Sequence, residues 1–414
     1  MSFYSGGEIK TRILDPVNDI SNVRSEFRLD DLGAVMSNMK LLDVGCRVDS
    51  ASTSYNTLTG AYGVIKNIRL MDNNTELSSC RDANLFLGFK NLQNSNSQNE
   101  SLGKYVSRGE LGFYTDSSSG EQAESRILVA SVETTEEITS KGHLELRQIL
   151  PILNSVRSFD NLRFKKLRLV VEYESNPAKV CESKANPIHT TRPSLCVDVI
   201  EDEGVRNSEL ENTPESVNWV EIEKDSFIIP AVSNLSGTNT TQSQSSNNKV
   251  NGFNNKTLGR ILMMKQRSNI NSSFNGNDVV GFGNNGSKGL YEQKTQYRVN
   301  GRNILSGSGV EGNNSRMALL CDTWGDINQV LAGNILGSNC SAFTNDGVNR
   351  EGETDYEGIF IGEMVRNLEI LIDRVGVFDT GGFFQDADEL IVNVYGEVNK
   401  NIQMKGDEYL ISYN

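Results

Sequence analysis

The chain has 414 residues, with 40 Lys and Arg against 54 Asp and Glu, for a formal net charge of −14. A chain of this length buries roughly 75% of the surface it exposes when unfolded, enough for about two domains of 200 residues without disulfide staples. The acidic balance, with only Lys10, Arg12 and Arg24 near the N-terminus, argues against sequence-specific or phosphate-backbone nucleic-acid binding as the main task.

In chain order, residues 1–23 read as an N-terminal tail. The segments "SEFRLDD" (25–31), "GVIKNIRLM" (63–71), "SRILVASVE" (125–133) and "KKLRLVVEY" (165–173) follow, the last with Leu167, Leu169, Val171 and Tyr173 on one face. Then come "WVEIEKDSFIIPA" (219–231), "RILMMKQ" (260–266), "GIFIGEMV" (358–365), "NLEILID" (367–373) and "ELIVNVYGEV" (389–398). Their period-two alternation predicts half-buried antiparallel strands. Two short helices interrupt them. Asp82 is placed to cap one carrying Leu85, Phe86, Phe89 and Leu92; Ser315 is placed to cap another with Met317, Leu320, Trp324, Ile327 and Leu331 on one stripe, weakened by Gly325.

Each helix follows a hairpin, one turning at Asp72-Asn73-Asn74 and one at Asn300-Gly301, the second a strong signal for a turn with two positive φ angles. The chain therefore reads as two weakly similar all-β halves, 24–205 and 218–414, joined by an acidic linker at 206–217 within "EDEGVRNSELENTPES". The second half carries a long Asn/Ser/Gly-rich loop at about 233–288. Such composition buries too little apolar surface to offset ordering, so a projecting or mobile loop is expected there.

Several motifs invite chemistry. "GFGNNG" (281–286) and "GSGVEG" (307–312) match GxGxxG, but neither sits in the strand–helix–strand unit that a dinucleotide site needs. The acidic clusters Glu201-Asp202-Glu203 and Asp386-Asp388-Glu389 have calcium-ligand chemistry, although solvated loop charge explains them as well. "CDTWGD" (321–326) places Trp324 between carboxylates, which suits sugar stacking or, more simply, an aromatic anchoring a helix on a β core. His143 and His189 stand apart without ligand neighbours, which disfavours a zinc site or a histidine triad. Cys46, Cys80, Cys181, Cys196, Cys321 and Cys340 form no CxxC pair and read as reduced, mostly buried thiols.

"VFDTGG" (377–382) resembles the catalytic turn of an aspartic protease, with Asp379 as the candidate carboxylate. That chemistry needs two carboxylates sharing a proton, and the motif has no counterpart in the other half. A turn former is the simpler reading. Neither a signal peptide nor an apolar run of about 20 residues is present, so a soluble chain is expected.

Paired jelly rolls fit this pattern: all-β, two tandem β-sandwich domains with long loops and short helices. On "GHLELRQILPILNSV" followed by "LRLVVEY", on "YRVNGRNIL" and "LLCDTWGD", and on the terminal "ELIVNVYGEVNKNIQM", the sequence resembles the double jelly-roll major capsid proteins of the adenovirus, polinton and virophage lineage, polinton-like viruses above all. The resemblance implies a non-enzymatic virion protein, without cofactor or metal, assembled inside a host cell as homotrimeric pseudo-hexagonal capsomers of an icosahedral shell. Its partners would be itself, neighbouring capsomers, penton and minor capsid proteins, with an internal membrane left open. The N-terminal tail would reach under the shell or to a neighbour. A minor capsid protein or a β-rich adhesin for receptors or glycans is the alternative, and a protease acting through Asp379 a remote one.

Overall fold

The structure is a computed structural model that describes residues 9–48, 53–54, 60–93, 111–115, 122–129, 141–177, 180, 188–230, 241–267, 290–311, 313–325, 356–377 and 389–413. Among the described residues, no sheet mixes strands from the two halves. The first half pairs a seven-stranded sheet with a five-stranded one. The larger contains Ile9–Leu14, Ala34–Met36, Lys40–Val48, Lys141–Glu145, Ser158–Asp160, Ile188–Thr190 and Ser194–Ile200; the smaller runs Asn18–Ile20, Arg24–Arg28, Leu167–Tyr173, Ile65–Asp72, Thr75–Arg81. A three-stranded patch (Thr53–Ser54, Gln122–Val129, Leu111–Thr115) stands apart.

The reason for this layering is the alternation. Leu167, Leu169, Val171 and Tyr173 point inward from the smaller sheet to meet Val35, Leu41, Val44, Leu195, Val197 and Val199 of the larger in one buried cluster. The second half repeats the scheme. Ser216–Ile229, Leu390–Lys405, Lys256–Arg267 and Tyr356–Val365 form one sheet, with Glu408–Tyr413 added beside the 390–405 strand; Thr241–Val250, Leu368–Val377, Leu290–Val299, Arg302–Asn303 and Val310–Glu311 form the other. Between them lie Ile261, Met263, Val392 and Val394 from one side and Leu368, Ile370, Ile372 and Val299 from the other.

Each alternating segment named from the sequence contains a strand, and both hairpins form as expected. Asp72 pairs with Thr75 across Asn73 (φ 53°). Val299 pairs with Arg302 across Asn300 (φ 52°) and Gly301 (φ 82°), the two positive φ angles that the Asn-Gly turn requires.

Four expectations need correction. Residues 9–20 are not a free tail: Ile9–Leu14 pairs along its whole length with Ser194–Ile200, and Asn18–Ile20 pairs with Arg24–Arg28. Lys10 and Arg12 reach Glu201 and Thr11 reaches Asp198, so polar side chains, not an apolar face, fix this register. Within the Asn-rich loop, Thr241–Val250 is an edge strand paired residue by residue with Leu368–Val377. Backbone bonding needs no apolar side chain, and Asn248 adds a bond to the Ile370 carbonyl (3.1 Å), while Val250 and Phe253 anchor the end in the core. The acidic segment is no loop: Glu203–Asn212 is a helix whose N-cap Asp202 accepts from the Val205 N–H, and whose Arg206 forks onto Asp160 at 3.1 and 3.0 Å. The last helix begins at Asn313, ahead of the expected cap Ser315. "GFGNNG", Asp379, Asp386, Asp388, Ile327 and Leu331 lie outside the described residues.

Candidate functional site: the seam between the halves

The helix Ala83–Gln93 follows Asp82 as the sequence predicts, but its Leu85 N–H goes to the Asp82 carbonyl (3.0 Å) and to Asn84 Oδ1 (2.9 Å) rather than to the Asp82 carboxylate. Asp82 takes a left-handed backbone (φ 44°) and its carboxylate pairs with Lys224 of the other half, while its carbonyl accepts from the Tyr395 hydroxyl at 3.0 Å. The helix turns Phe86 and Phe89 across the same boundary. Phe86 lies 5.4 Å from Tyr395; Phe89 meets Trp324 edge-on at 5.8 Å and Tyr356 at 5.5 Å. Such aromatic pairs each add about 0.5–1.5 kcal/mol beyond the area they bury.

Below them Glu221 is wholly buried and bridges the halves. It accepts from Ser78 Oγ (2.8 Å) and the Ser79 N–H (3.1 Å) of the first half, and from Trp219 Nε1 (2.7 Å) on its own strand. Burial pushes its pKa above the ordinary glutamate value, against the opposing pull of Lys400 and these hydrogen bonds. At the far end Tyr409 stacks on Phe164 at 5.0 Å and donates to Asp72 Oδ2 at 2.8 Å, and Arg163 donates to the Gly406 carbonyl at 2.7 Å. The consequence is one continuous core: Trp219, Leu262, Met264, Trp324, Tyr395 and Met404 cluster with the first half's interior, not with the second half's own.

The second half holds a further buried ionic group. Glu357 pairs with Lys265 and with Arg316 (3.3 Å), and accepts from Thr295 (3.3 Å) and Tyr297 (3.4 Å). Burial works against its ionisation, yet the two cations outweigh it and its pKa is lowered. The chain's buried charges thus tie strands together.

The sequence-derived candidates fall out as follows. Trp324 is buried and donates to the Ile261 carbonyl (2.9 Å), with the Arg260 guanidinium 4.5 Å from its ring; it anchors the 313–324 helix on the sheet and offers no sugar platform. The described part of "GSGVEG" contains Val310–Glu311, a short strand antiparallel to Leu290–Val299, not the entry to a strand–helix–strand unit. Gly309 (φ 115°) is there because a Cβ would sit 2.3 Å from the Thr295 carbonyl oxygen. Glu201 is held by Arg12 and Lys10, whose hydrogen bonds bring its pKa down to about 2, and Asp202 is the helix cap, so this cluster is already spent on structure. His143 and His189 sit half-buried on separate strands, each paired to Lys40–Val48. Among the described residues no three His, Cys, Asp or Glu side chains gather as a metal site, and Cys80, Cys196 and Cys321 are free thiols. No described helix is long and apolar enough to cross a membrane.

Sequence reasoning missed Glu221, Tyr395, Glu357 and Lys265. The one available signal was phase: in "WVEIE" the carboxylate shares a strand face with Trp219, two residues away, where a solvated residue was not expected.

Two tandem sandwiches of five- to seven-stranded sheets, fused through a shared aromatic seam, define the double jelly-roll fold. No protein-family model and no curated protein matches the sequence. Solved structures match its fold, among them VP54 of PBCV-1, as fitted into a reconstruction of the virophage Sputnik (TM-score 0.56, 9% identity, covering 100% of this chain and 99% of that one). The Faustovirus major capsid protein (TM-score 0.57, 8% identity, 98% and 92% covered) and the mavirus major capsid protein (TM-score 0.52, 9% identity, 100% and 92% covered) share the fold over their length.

Proposed function

We propose that this chain is a structural capsid protein that self-assembles into homotrimeric, pseudo-hexagonal capsomers of an icosahedral shell, without enzymatic activity. The observation that carries the reading is the fused seam. Two sandwiches locked by Glu221, Phe86, Phe89 and Trp324 make a rigid two-lobed brick, and three such bricks around an axis supply six lobes for a pseudo-hexagon. The end-to-end match to major capsid proteins supports it. So do exposed apolar side chains at the sheet edge 356–365, where Phe360 is 63% and Met364 54% exposed; a partner would cover such an edge.

In this reading the protein resides in the virion, with neighbouring capsomers, penton and minor capsid proteins as partners. The two domains divide at the 203–212 helix, with residues 9–20 belonging to the first. Light scattering on purified protein tests it: a particle of about three times 45.7 kDa with a hexagonal outline in negative stain is expected. A stable monomer at micromolar concentration sinks the proposal. Purified particles separate it from an adhesin or minor component, because a shell-forming protein must be among the most abundant bands.

A further inference from the structure

A cleft of about 460 Å³ opens where the halves meet, lined by Phe86, Pro151, Val220 and Trp324 together with Lys90 and Arg147. Its volume lies within the range of small-ligand sites. Gln148, Asn154 and Val220 are exposed at the mouth, so the cleft communicates with solvent.

Its charge is unbalanced. Glu397 also lines the cleft, but the Arg260 guanidinium grips it with both arms (Nε to Oε2 2.6 Å) and neutralises it. Among the described residues Arg147 donates to neutral oxygens, the Ser37 carbonyl (3.3 Å) and hydroxyl (3.0 Å). The Lys90 ammonium stands 5.6 Å from the Phe86 ring centre and 6.0 Å from that of Trp324. Among the described residues neither Lys90 nor Arg147 pairs with a carboxylate. Burial, and then the Arg260 charge, lower the Lys90 pKa, with Glu397 opposing. On a chain of net charge −14, a cleft with two cations in excess is the reverse of the surrounding field.

We infer that this cleft is a binding site for an acidic side chain presented on an extended peptide segment of a partner protein, flanked by apolar residues. Lys90 and Arg147 receive the carboxylate; Pro151 and Val220, the apolar lining residues that reach solvent, cover the apolar neighbours. A carboxylate there converts the cost of a half-buried ammonium into a charge-assisted hydrogen bond in a site of low dielectric. The apolar wall selects such a segment over a bare inorganic anion. The inference stands apart from the assembly state, which a separate measurement decides.

The test is calorimetric titration of the full-length protein at low ionic strength with acetyl-Leu-Glu-Leu-amide, its Gln counterpart and inorganic phosphate. The Glu peptide is expected to bind about tenfold more tightly than the Gln peptide, the worth of one hydrogen bond to a charged group. Lys90→Met should erase that difference while leaving the melting temperature unchanged or higher, since it removes a half-buried charge and keeps the stem. Equal binding of the two peptides, binding by neither, or full Glu-peptide affinity in Lys90→Met overturns the inference. Phosphate binding as tight as the peptide's overturns it too, because the apolar wall would then contribute nothing.

Discussion

Replacing Glu221 by Ala strikes the seam at its most buried polar point. The substitution leaves three donors without their acceptor: the Ser78 hydroxyl, the Ser79 N–H and the Trp219 indole N–H. Each stranded buried donor costs about 1–3 kcal/mol, and water entering the space left by the carboxylate recovers part of the sum. A loss of about 3–5 kcal/mol is expected, the scale for breaking a buried charged interaction. At about 2–4 °C per kcal/mol for domains of 150–250 residues, the melting temperature should fall by about 6–20 °C.

Urea denaturation followed by tryptophan fluorescence reads the change directly, because Trp219 donates to the altered carboxylate. The pH dependence supplies a second handle. Burial raises the Glu221 pKa above the unfolded value of 4.5, so the folded chain holds this proton more tightly than the unfolded chain does. Its stabilising contribution is complete below pH 4.5 and is lost as the pH rises through the folded value. The stability difference between Glu221→Gln, which does not titrate, and the parent should therefore shift in the variant's favour as the pH rises above 4.5. A loss below about 1 kcal/mol for Glu221→Ala, the scale of an exposed ion pair, would refute the reasoning.

Three other outcomes are expected. Glu357→Gln breaks the ionic group with Lys265 and Arg316 and should cost about 3–5 kcal/mol by chemical denaturation, with soluble yield falling in step. Gly309→Ala should be far more damaging than Gly301→Ala, since both have positive φ but only the first would drive a Cβ against a carbonyl oxygen, whereas nothing lies within 4 Å of the second; equal melting temperatures would contradict this. Gly358→Ala puts a methyl 2.8 Å from Leu320 Cδ1 and from Trp324 Cδ1, and the resulting overpacking should cost about 1–3 kcal/mol, visible as a changed near-ultraviolet tryptophan signal.

What could be read from the sequence was whatever follows from side-chain alternation and turn chemistry. The strand 167–173 and the Asn300-Gly301 turn are local in cause, and the residues themselves declare them. The strand 241–250 is hidden because "TQSQSSNNKV" has no apolar face; it is held by backbone bonds to a neighbour more than a hundred residues away, which no local pattern encodes. The 203–212 helix lacks an apolar stripe and depends on its Asp202 cap and on Arg206 reaching Asp160. Asp82 was placed correctly beside its helix but given the wrong partner, since its carboxylate answers a lysine 142 residues on. Of the seam, Phe86, Phe89 and Trp324 were visible as apolar residues, but that they meet each other was not. The cleft was invisible for the same reason: Lys90 and Arg147 of the first half meet Trp324 of the second only after the halves dock.

That docking also sets a timetable. Ser78 waits for Glu221 across 143 residues, and Asp82 waits for Tyr395 across 313. At a synthesis rate of about 5–20 residues per second, the second interval is ~15–60 s. For that period the nascent first half emerges from the ribosome with Phe86 and Phe89 facing outward and no Tyr395 to receive them. A cell making this chain in quantity therefore carries a standing population of half-finished chains with an open aromatic face, and chaperone supply becomes part of what limits the yield of the finished protein.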